Sequence, residues 1–322
     1  MPEINRQIQN SKSVSVAVVT ANRCEMLDAC LASLLKSDYP IHELFVFDNN
    51  SSDNTVEMVK AKYPQTILIQ NEQNIGLSLC HNRAMKEFTG DCILLIDDDN
   101  EVAPDMISKL IEHLYCKKIG NVGIVMPVIY DFYNPETIYV AGSETDLWTG
   151  RTISHPKIIE EGKTFYESKQ APNSFIIRRE MIEKFGVLDK QIFSTLGDED
   201  LVRRINSGGW HCHVVLAAAT YHKIKISENI IRRFGMTNPV RVYVLARNKT
   251  VIIRRYAKWH QLLTYLIFWN NLFASYYLFL LIFKSRNWNF IKAYLKGLRD
   301  AFIFVFTKKL PPLSYVLKML DN

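Results

Sequence analysis

Three consecutive aspartates, Asp97, Asp98 and Asp99, follow the apolar run "CILLI" and precede Asn100. Adjacent carboxylates repel one another and aspartate is a poor residue for a buried strand. Either the strand emerges into solvent here, or something positive sits among the acids. If strand alternation continues, Asp97 and Asp99 converge on one point while Asp98 turns away. Two carboxylates at one point suit a hard divalent cation, Mg2+ or Mn2+, which in turn binds phosphate oxygens. The plainer alternative is a solvated acidic turn, with Asp98 and Asn100 acting as caps. A second cluster, Asp198, Glu199 and Asp200, stands in "TLGDEDLVRRI" at a predicted helix start. Carboxylates favour helix starts, so capping competes with chemistry there, yet three acids exceed what one cap needs. Arg203 and Arg204 lie about one turn along. An arginine at that spacing holds one carboxylate ionised and leaves a neighbour to accept a proton.

The elements that must position these acids read as alternating strand and helix. "SVSVAVVT" is a valine-rich strand, followed by the helical "EMLDACLASLLKS", the strand "ELFVFDNN", the helix "SDNTVEMVKAKY" and the strand "TILIQN". "GLSLCHNRAMKEF" is helical again, and "CILLID" is the fourth strand. Such alternation predicts a parallel sheet covered by helices. Its strands end in Thr20-Ala21-Asn22, Asp48-Asn49-Asn50, Asn71-Glu72 and the aspartate triplet. Ligands of these sheets bind beyond the carboxyl ends of the strands, which favours the metal reading of the triplet. Residues 120–219 are less regular, with a helix in "DEDLVRRINSGG" and a last strand, "WHCHVVLAAATYH", reaching His222. His211-Cys212-His213 looks metal-like. Zinc spacings usually leave two residues between ligands and strand neighbours alternate faces, so the triplet is read as structural.

The chain has 322 residues, 48% hydrophobic and 22% charged, enough for one large domain or two modest ones. The net charge is +6, with basic residues dense between Arg232 and Lys258. No recognised nucleic-acid module surrounds them, so no nucleic acid is expected as a partner. Six cysteines without a CxxC pair, and no signal-like N-terminus, predict a cytosolic protein with reduced thiols. Residues 262–283 are almost continuously apolar and aromatic, reaching the ~20 residues a bilayer crossing needs, though Asn270 and Asn271 lie near the centre. Arg254, Arg255, Lys258, Lys284 and Arg286 flank this stretch and suit lipid headgroups. Attachment to anionic membrane at the cytoplasmic face is expected, the alternative being a buried hairpin or a homo-oligomer contact. The expected organisation is an extension over 1–12, an α/β domain over 13–235 and a helical region over 236–322.

The ordered series "VVTANR", "FDNNSSDNT", "NEQNIGLSLCHNRAM", "LLIDDDNEVAP", "GDEDLVRRINSGGW", "TYH" and "YVLARN" resembles the nucleotide-sugar glycosyltransferases of family 2. The resemblance covers roughly residues 13–250, and its last motif is typical of the bacterial rhamnosyltransferase branch and similar polysaccharide-building enzymes. It implies a GT-A fold, with a mostly parallel nucleotide-binding sheet flanked by helices. It also implies that Thr20, Asn22 and Arg23 sit at the nucleotide, that Asp48 binds the base, and that Asn50 and Asp53 support that loop. By the same likeness Asn74 and Gly76 lie in a nearby loop, and Asp97 and Asp98 belong with the nucleotide-sugar contacts. Asp97 touches the ribose or a metal-bound water, Asp99 ligates the metal, and His222 is a late metal or diphosphate contact. Asp198 matches the catalytic base. This chain has "GDED" where "EDxD" is commoner, so Asp200 competes for that role, and His81 stands where many relatives have arginine.

The implied reaction is inverting transfer from a UDP-, dTDP- or GDP-linked sugar to a hydroxyl of a glycan or lipid-linked acceptor, with Mg2+ or Mn2+. A polyprenyl-phosphate acceptor is the nearest alternative. A nucleotidyltransferase would show a Gly-rich basic loop that "VVTANRCEML" lacks, and a non-catalytic membrane scaffold would not need both acidic clusters.

Overall fold

The computed structural model describes residues 12–154, 159–223 and 229–312, with 314, 315 and 318. Residues 1–11 of the expected extension, and the last residues of the tail, lie outside that range. In chain order the elements are β1 (Val14–Thr20), α1 (Cys24–Leu34), β2 (Ile41–Asp48), α2 (Thr55–Lys62), β3 (Ile67–Gln70), α3 (Leu77–Glu87), β4 (Cys92–Asp97), β5 (Asn100–Val102), α4 (Met106–Leu114), β6 (Val122–Asp131), β7 (Asn134–Val140) and β8 (Ser143–Thr145). Then come β9 (Thr152–Ser154), β10 (Phe165–Glu167), β11 (Ser174–Arg178), α5 (Arg179–Phe185), α6 (Gly197–Ser207), β12 (His211–His222), α7 (Ile230–Arg233), α8 (Pro239–Tyr256), α9 (Trp259–Thr264), α10 (Asn270–Leu280) and α11 (Trp288–Thr307).

The main sheet runs β10-β12-β6-β11-β4-β1-β2-β3. Strands β4, β1, β2 and β3 are mutually parallel, as are β12 and β6, while β11 lies antiparallel between β4 and β6. Alternation splits each central strand between two apolar layers, so the strands read as continuous apolar runs. Val16, Val18, Val46 and Leu94 pack with Leu27 and Leu31 of α1 and Leu110 of α4. Ala17, Phe45, Phe47 and Leu95 pack with Cys80 and Met85 of α3 and Ile205 of α6. This is the α/β fold expected, a mostly parallel sheet flanked by helices. Its register pairs Thr20 with Asp48, Asp48 with Gln70 and Val19 with Asp97, so the polar strand ends share one edge.

The chain divides into two compact units. The first comprises Met1–Glu144, Ser154–Leu188 and Leu201–Ile224, and the second Thr145–Ile153, Asp189–Asp200 and Lys225–Asn322. Where the sequence placed one boundary at 235/236, the second unit also takes in two earlier segments. Its buried polar side chains account for one of them. Arg247 on α8 is fully buried and donates to the Gln191 carbonyl at 2.5 Å, and Asn248 Nδ2 donates to the Thr195 carbonyl at 2.8 Å. Helix α8 begins with Asn238, whose side chain accepts from Arg241 N at 2.9 Å, and with Pro239. It packs against α11 closely enough that a Cβ on Gly297 would lie 2.5 Å from the Tyr243 carbonyl oxygen.

Trp259–Ser285 forms one 27-residue helical run, with π-turns at Tyr265–Trp269 and Leu281–Ser285. It is long and apolar enough to cross a membrane, and most of its apolar part is not buried. The two central asparagines are satisfied locally. Asn270 Oδ1 accepts from the Tyr265 hydroxyl at 3.2 Å, and Asn271 Nδ2 donates to the Ile267 carbonyl at 2.8 Å.

Candidate active site

The polar turns at the carboxyl edge interlock. Asn22 and Asn50 adopt left-handed backbone (φ 54° and 66°), which asparagine tolerates better than most residues. Asn22 Oδ1 accepts from Ser52 N at 2.6 Å, and Asn22 N donates to Ser51 Oγ at 2.8 Å. Asp48 is buried and accepts from Ser51 N at 3.2 Å, while Asp53 accepts from Cys24 N at the start of α1. Asn49, which the sequence did not single out, joins the loops. Its Nδ2 donates to Asn74 Oδ1 at 2.8 Å, and its Oδ1 accepts from Ile75 N at 2.9 Å. Asn74 Oδ1 also accepts from the amide of Gly76, whose φ of 84° favours glycine. Thr20 is buried at the end of β1.

The aspartate triplet departs from simple alternation because β4 stops at Asp97, and Asp98 and Asp99 form a turn before β5. Asp98 therefore does not turn away. It is 4% exposed, and Arg23 Nη1 bridges it to its neighbour, 2.9 Å from Asp98 Oδ1 and 3.0 Å from Asp99 Oδ2. The other oxygen of Asp99, Oδ1, lies 3.2 Å from Nε2 of the buried His222. Asn173 supports this pair, its Nδ2 3.1 Å from His222 Nε2 and its carbonyl accepting from Asp97 N at 3.0 Å. The Tyr139 ring lies 5.3 Å from that of His222.

Electrostatics separate the two bridged acids. Burial raises the Asp98 carboxyl above its ordinary range, against the pull of Arg23. Burial acts on Asp99 in the same sense, but His222 and Arg23 outweigh it and hold this carboxyl low. Arg23 is raised, since the two aspartates overcome the opposing effect of burial. His81 supplies no cation here. Burial pushes it down to about 4, and its Nε2 has no hydrogen-bond partner among the described residues.

The donor set fits a divalent cation. Two adjacent ligands of an octahedral ion held at about 2.0–2.1 Å lie ~3 Å apart, close to the separation of Asp99 Oδ1 and His222 Nε2. The carboxylate suits Mg2+ and Mn2+ alike, and the imidazole favours the transition ion.

The second acidic cluster opens α6 in the second unit. Glu199 and Asp200 are fully buried, whereas Asp198 keeps part of its surface in solvent. Glu199 accepts from Thr145 N at 3.2 Å and Thr145 Oγ1 at 2.7 Å. Asp200 Oδ1 accepts from Arg255 Nη1 and the Tyr256 hydroxyl, each at 2.8 Å. Arg255 also pairs with Asp189 at 2.7 Å, and these contacts raise it against the lowering effect of burial. The sequence pointed to Arg203 or Arg204, one turn along, as the arginine that holds one of these carboxylates. Arg255 fills that place, while Arg204 donates to the carbonyls of Phe185 and Val187. The turn before α6 is strained, with Ser194 and Leu196 in left-handed conformation (φ 69° and 62°). A Cβ on Gly197 would meet the Ile192 carbonyl oxygen at 2.7 Å. Arg247 and Asn248 hold the segment entering this turn, so the "YVLARN" motif anchors the acidic helix from within.

Residues 15–186 match the family described as Glycosyl transferase family 2, and the chain belongs to that family. The uncharacterized glycosyltransferase YwdF of Bacillus subtilis (strain 168) is 33% identical over 103 residues, 31% of this chain and 38% of YwdF. EpsJ, an uncharacterized glycosyltransferase of the same organism, is 24% identical over 179 residues, 54% of this chain and 50% of EpsJ. The chain thus spans half or less of the length of these relatives. Among solved structures, the mannosyltransferase PcManGT from Pyrobaculum calidifontis, in complex with GDP-Man and Mn2+, superposes with a TM-score of 0.55 at 19% identity. That match covers 92% of this chain and 88% of PcManGT. GalNAc-T7 with UDP, GalNAc and Mn2+ gives a TM-score of 0.57 at 19% identity, over 66% of this chain and 44% of that one. At these identities the likeness is one of fold.

Proposed function

We propose that this chain is an inverting, divalent-cation-dependent glycosyltransferase. It moves a sugar from a UDP-, dTDP- or GDP-linked donor to a hydroxyl of a glycan or lipid-linked acceptor at the cytoplasmic membrane face. The observation that carries this reading is the Asp99–His222 pair at the carboxyl edge of a family 2 sheet, at cation spacing and braced by Arg23. Asp99 and His222 would hold the cation, which would supply Lewis-acid neutralisation of the diphosphate leaving group. Thr20, Asn22, Asp48, Asn50 and the Asn74–Gly76 loop hold the nucleoside, and Asp97 and Asp98 the ribose side. Asp198 takes the acceptor proton as the hydroxyl attacks, a step that contributes about 10²–10⁴-fold. Its partial exposure supports that role, because Asp200 is engaged by Arg255 and Tyr256. Single displacement inverts the anomeric centre. Exposed Trp259, Phe268, Leu272 and Phe283 on the apolar helical run support membrane attachment. The WcaA protein of Escherichia coli (strain K12), a putative colanic acid biosynthesis glycosyl transferase 28% identical over 109 residues, supports a polysaccharide context.

The test is nucleoside-diphosphate release from a panel of sugar nucleotides. One donor should be turned over with Mn2+ or Mg2+ and not in excess chelator. Turnover that survives chelation contradicts the reading.

A polyprenyl-phosphate acceptor is favoured by one feature of the second unit. A cavity of about 270 Å³ combines Arg151 and Lys249 with Tyr265, Phe273, Tyr277 and Leu298, offering cations beside an apolar wall. Burial lowers the Lys249 amine, so an anion there would regain a charge partner. Such an acceptor is already an anion and needs no base. Transfer to polyprenyl phosphate that survives Asp198→Asn would select this reading.

A further inference from the structure

His211 and His213 are two residues apart on β12, so their side chains share one face while Cys212 between them enters the core. Strand β10 runs antiparallel alongside, with Glu167 directly opposite His213. One donor atom from each of Glu167, His211 and His213 lies within 4.8 Å of the other two. His211 Nδ1 and Glu167 Oε1 are 3.3 Å apart. Two donors bound about 2.0–2.1 Å from a tetrahedral zinc ion sit ~3.3–3.4 Å apart, so this edge already has coordination spacing.

The third donor is held in place. His213 is buried, its Nδ1 lies 3.0 Å from Nε2 of His113, and the Phe165 ring stacks on it at 4.2 Å between centroids. These contacts fix the plane of the imidazole and leave Nε2 as its nitrogen for an ion. An outer partner of this kind orients metal-binding histidines. Glu167 and His211 are about half exposed (52% and 45%), which opens the site to an ion from solvent and to water as a fourth ligand. The second oxygen of Glu167 lies 3.6 Å from the Lys169 ammonium.

We propose that Glu167, His211 and His213 form a binding site for a borderline transition cation, Zn2+ above all, that clips the edge strand β10 to β12, with His113 as positioning residue. The site lies toward the opposite end of β12 from His222. Two imidazoles and one carboxylate select a different metal from the oxygen-rich edge, and the site stands whether or not the proposed transferase activity holds.

The test uses tag-free, full-length protein stripped of metal and carrying Asp99→Asn, so that the donor edge does not contribute. Zn2+ is titrated against a chromogenic chelator. One equivalent is expected to bind, with a tetrahedral visible spectrum when Co2+ replaces Zn2+. His113→Phe should weaken binding by about 10–100-fold, the scale of outer-sphere partners. His211→Gln and Glu167→Gln, both at half-exposed positions that tolerate polar replacement, should weaken it further and abolish the Co2+ spectrum. Absence of binding in the parent, or Zn2+ affinity unchanged by His211→Gln, overturns the proposal.

Discussion

Asp97–Asp99 closes a buried strand, and Asp198–Asp200 opens a helix. In the first triplet one guanidinium, Arg23, bridges two acids and leaves Asp99 Oδ1 beside an imidazole. In the second, Glu199 goes to Thr145 and Asp200 to Arg255 and Tyr256, while Asp198 stays partly in solvent. Two runs that look alike in sequence thus divide their charge differently.

The largest effect should come from the strand-end triplet. Asp99→Asn removes the proposed cation ligand and should lower kcat by on the order of 10³-fold or more, since a Lewis-acid contact is worth several kcal/mol in the transition state. Steady-state release of nucleoside diphosphate with saturating Mn2+ measures this. The helix-start triplet should separate rate from stability. Asp198→Asn should lower kcat by about 10²–10⁴-fold with donor affinity nearly intact, because the proton moves only during reaction. Asp200→Asn leaves Arg255 without one of its two acids and should cost on the order of 3 kcal/mol in urea denaturation. If Asp198→Asn keeps its rate and Asp200→Asn loses turnover without losing stability, the two roles are reversed.

A smaller effect separates the triplets from the buried histidines under acid. His81 titrates at about 4 in the fold against 6.5 ordinarily. As pH falls the unfolded chain takes up this proton first, so the stability involved is complete above 6.5 and lost towards 4. The loss amounts to ~3 kcal/mol. Asp99, held below its ordinary value of 3.8, loses its contribution only further down. The urea midpoint should therefore drop between pH 7 and pH 4.5, and His81→Leu should flatten that drop. The smallest effect is the salt dependence of membrane attachment. Full-length protein should sediment with anionic liposomes at low ionic strength and be partly released by salt. Failure to sediment at low salt would mark the apolar run as an oligomer contact.

Much of the sheet was legible because buried parallel strands leave continuous apolar runs, and "SVSVAVVT" and "CILLID" leave little room for another reading. Polar strand ends marked the edge for the same reason. What stayed hidden were partners brought in from distant segments. Asn49 and Asn173 sit among many asparagines with nothing local to distinguish them, and Arg255 reaches Asp200 only because α8 folds back. Alternation misplaced Asp98, since it assumes a strand through Asp99 that in fact ends at Asp97. His211 and His213 read as structural because strand neighbours alternate, yet residues two apart share a face. The Glu167 that joins them comes from a short edge strand without a signal of its own.

In the proposed reaction a cation held by Asp99 and His222 binds the donor diphosphate. Calorimetric titration of UDP, GDP and dTDP into full-length protein, with Mn2+ and then with chelator, tests it most directly. One nucleotide should bind much more tightly with Mn2+, and Asp99→Asn should abolish this gain while leaving weak cation-independent binding. Equal affinity in chelator, or a Mn2+ gain that persists in Asp99→Asn, would contradict it.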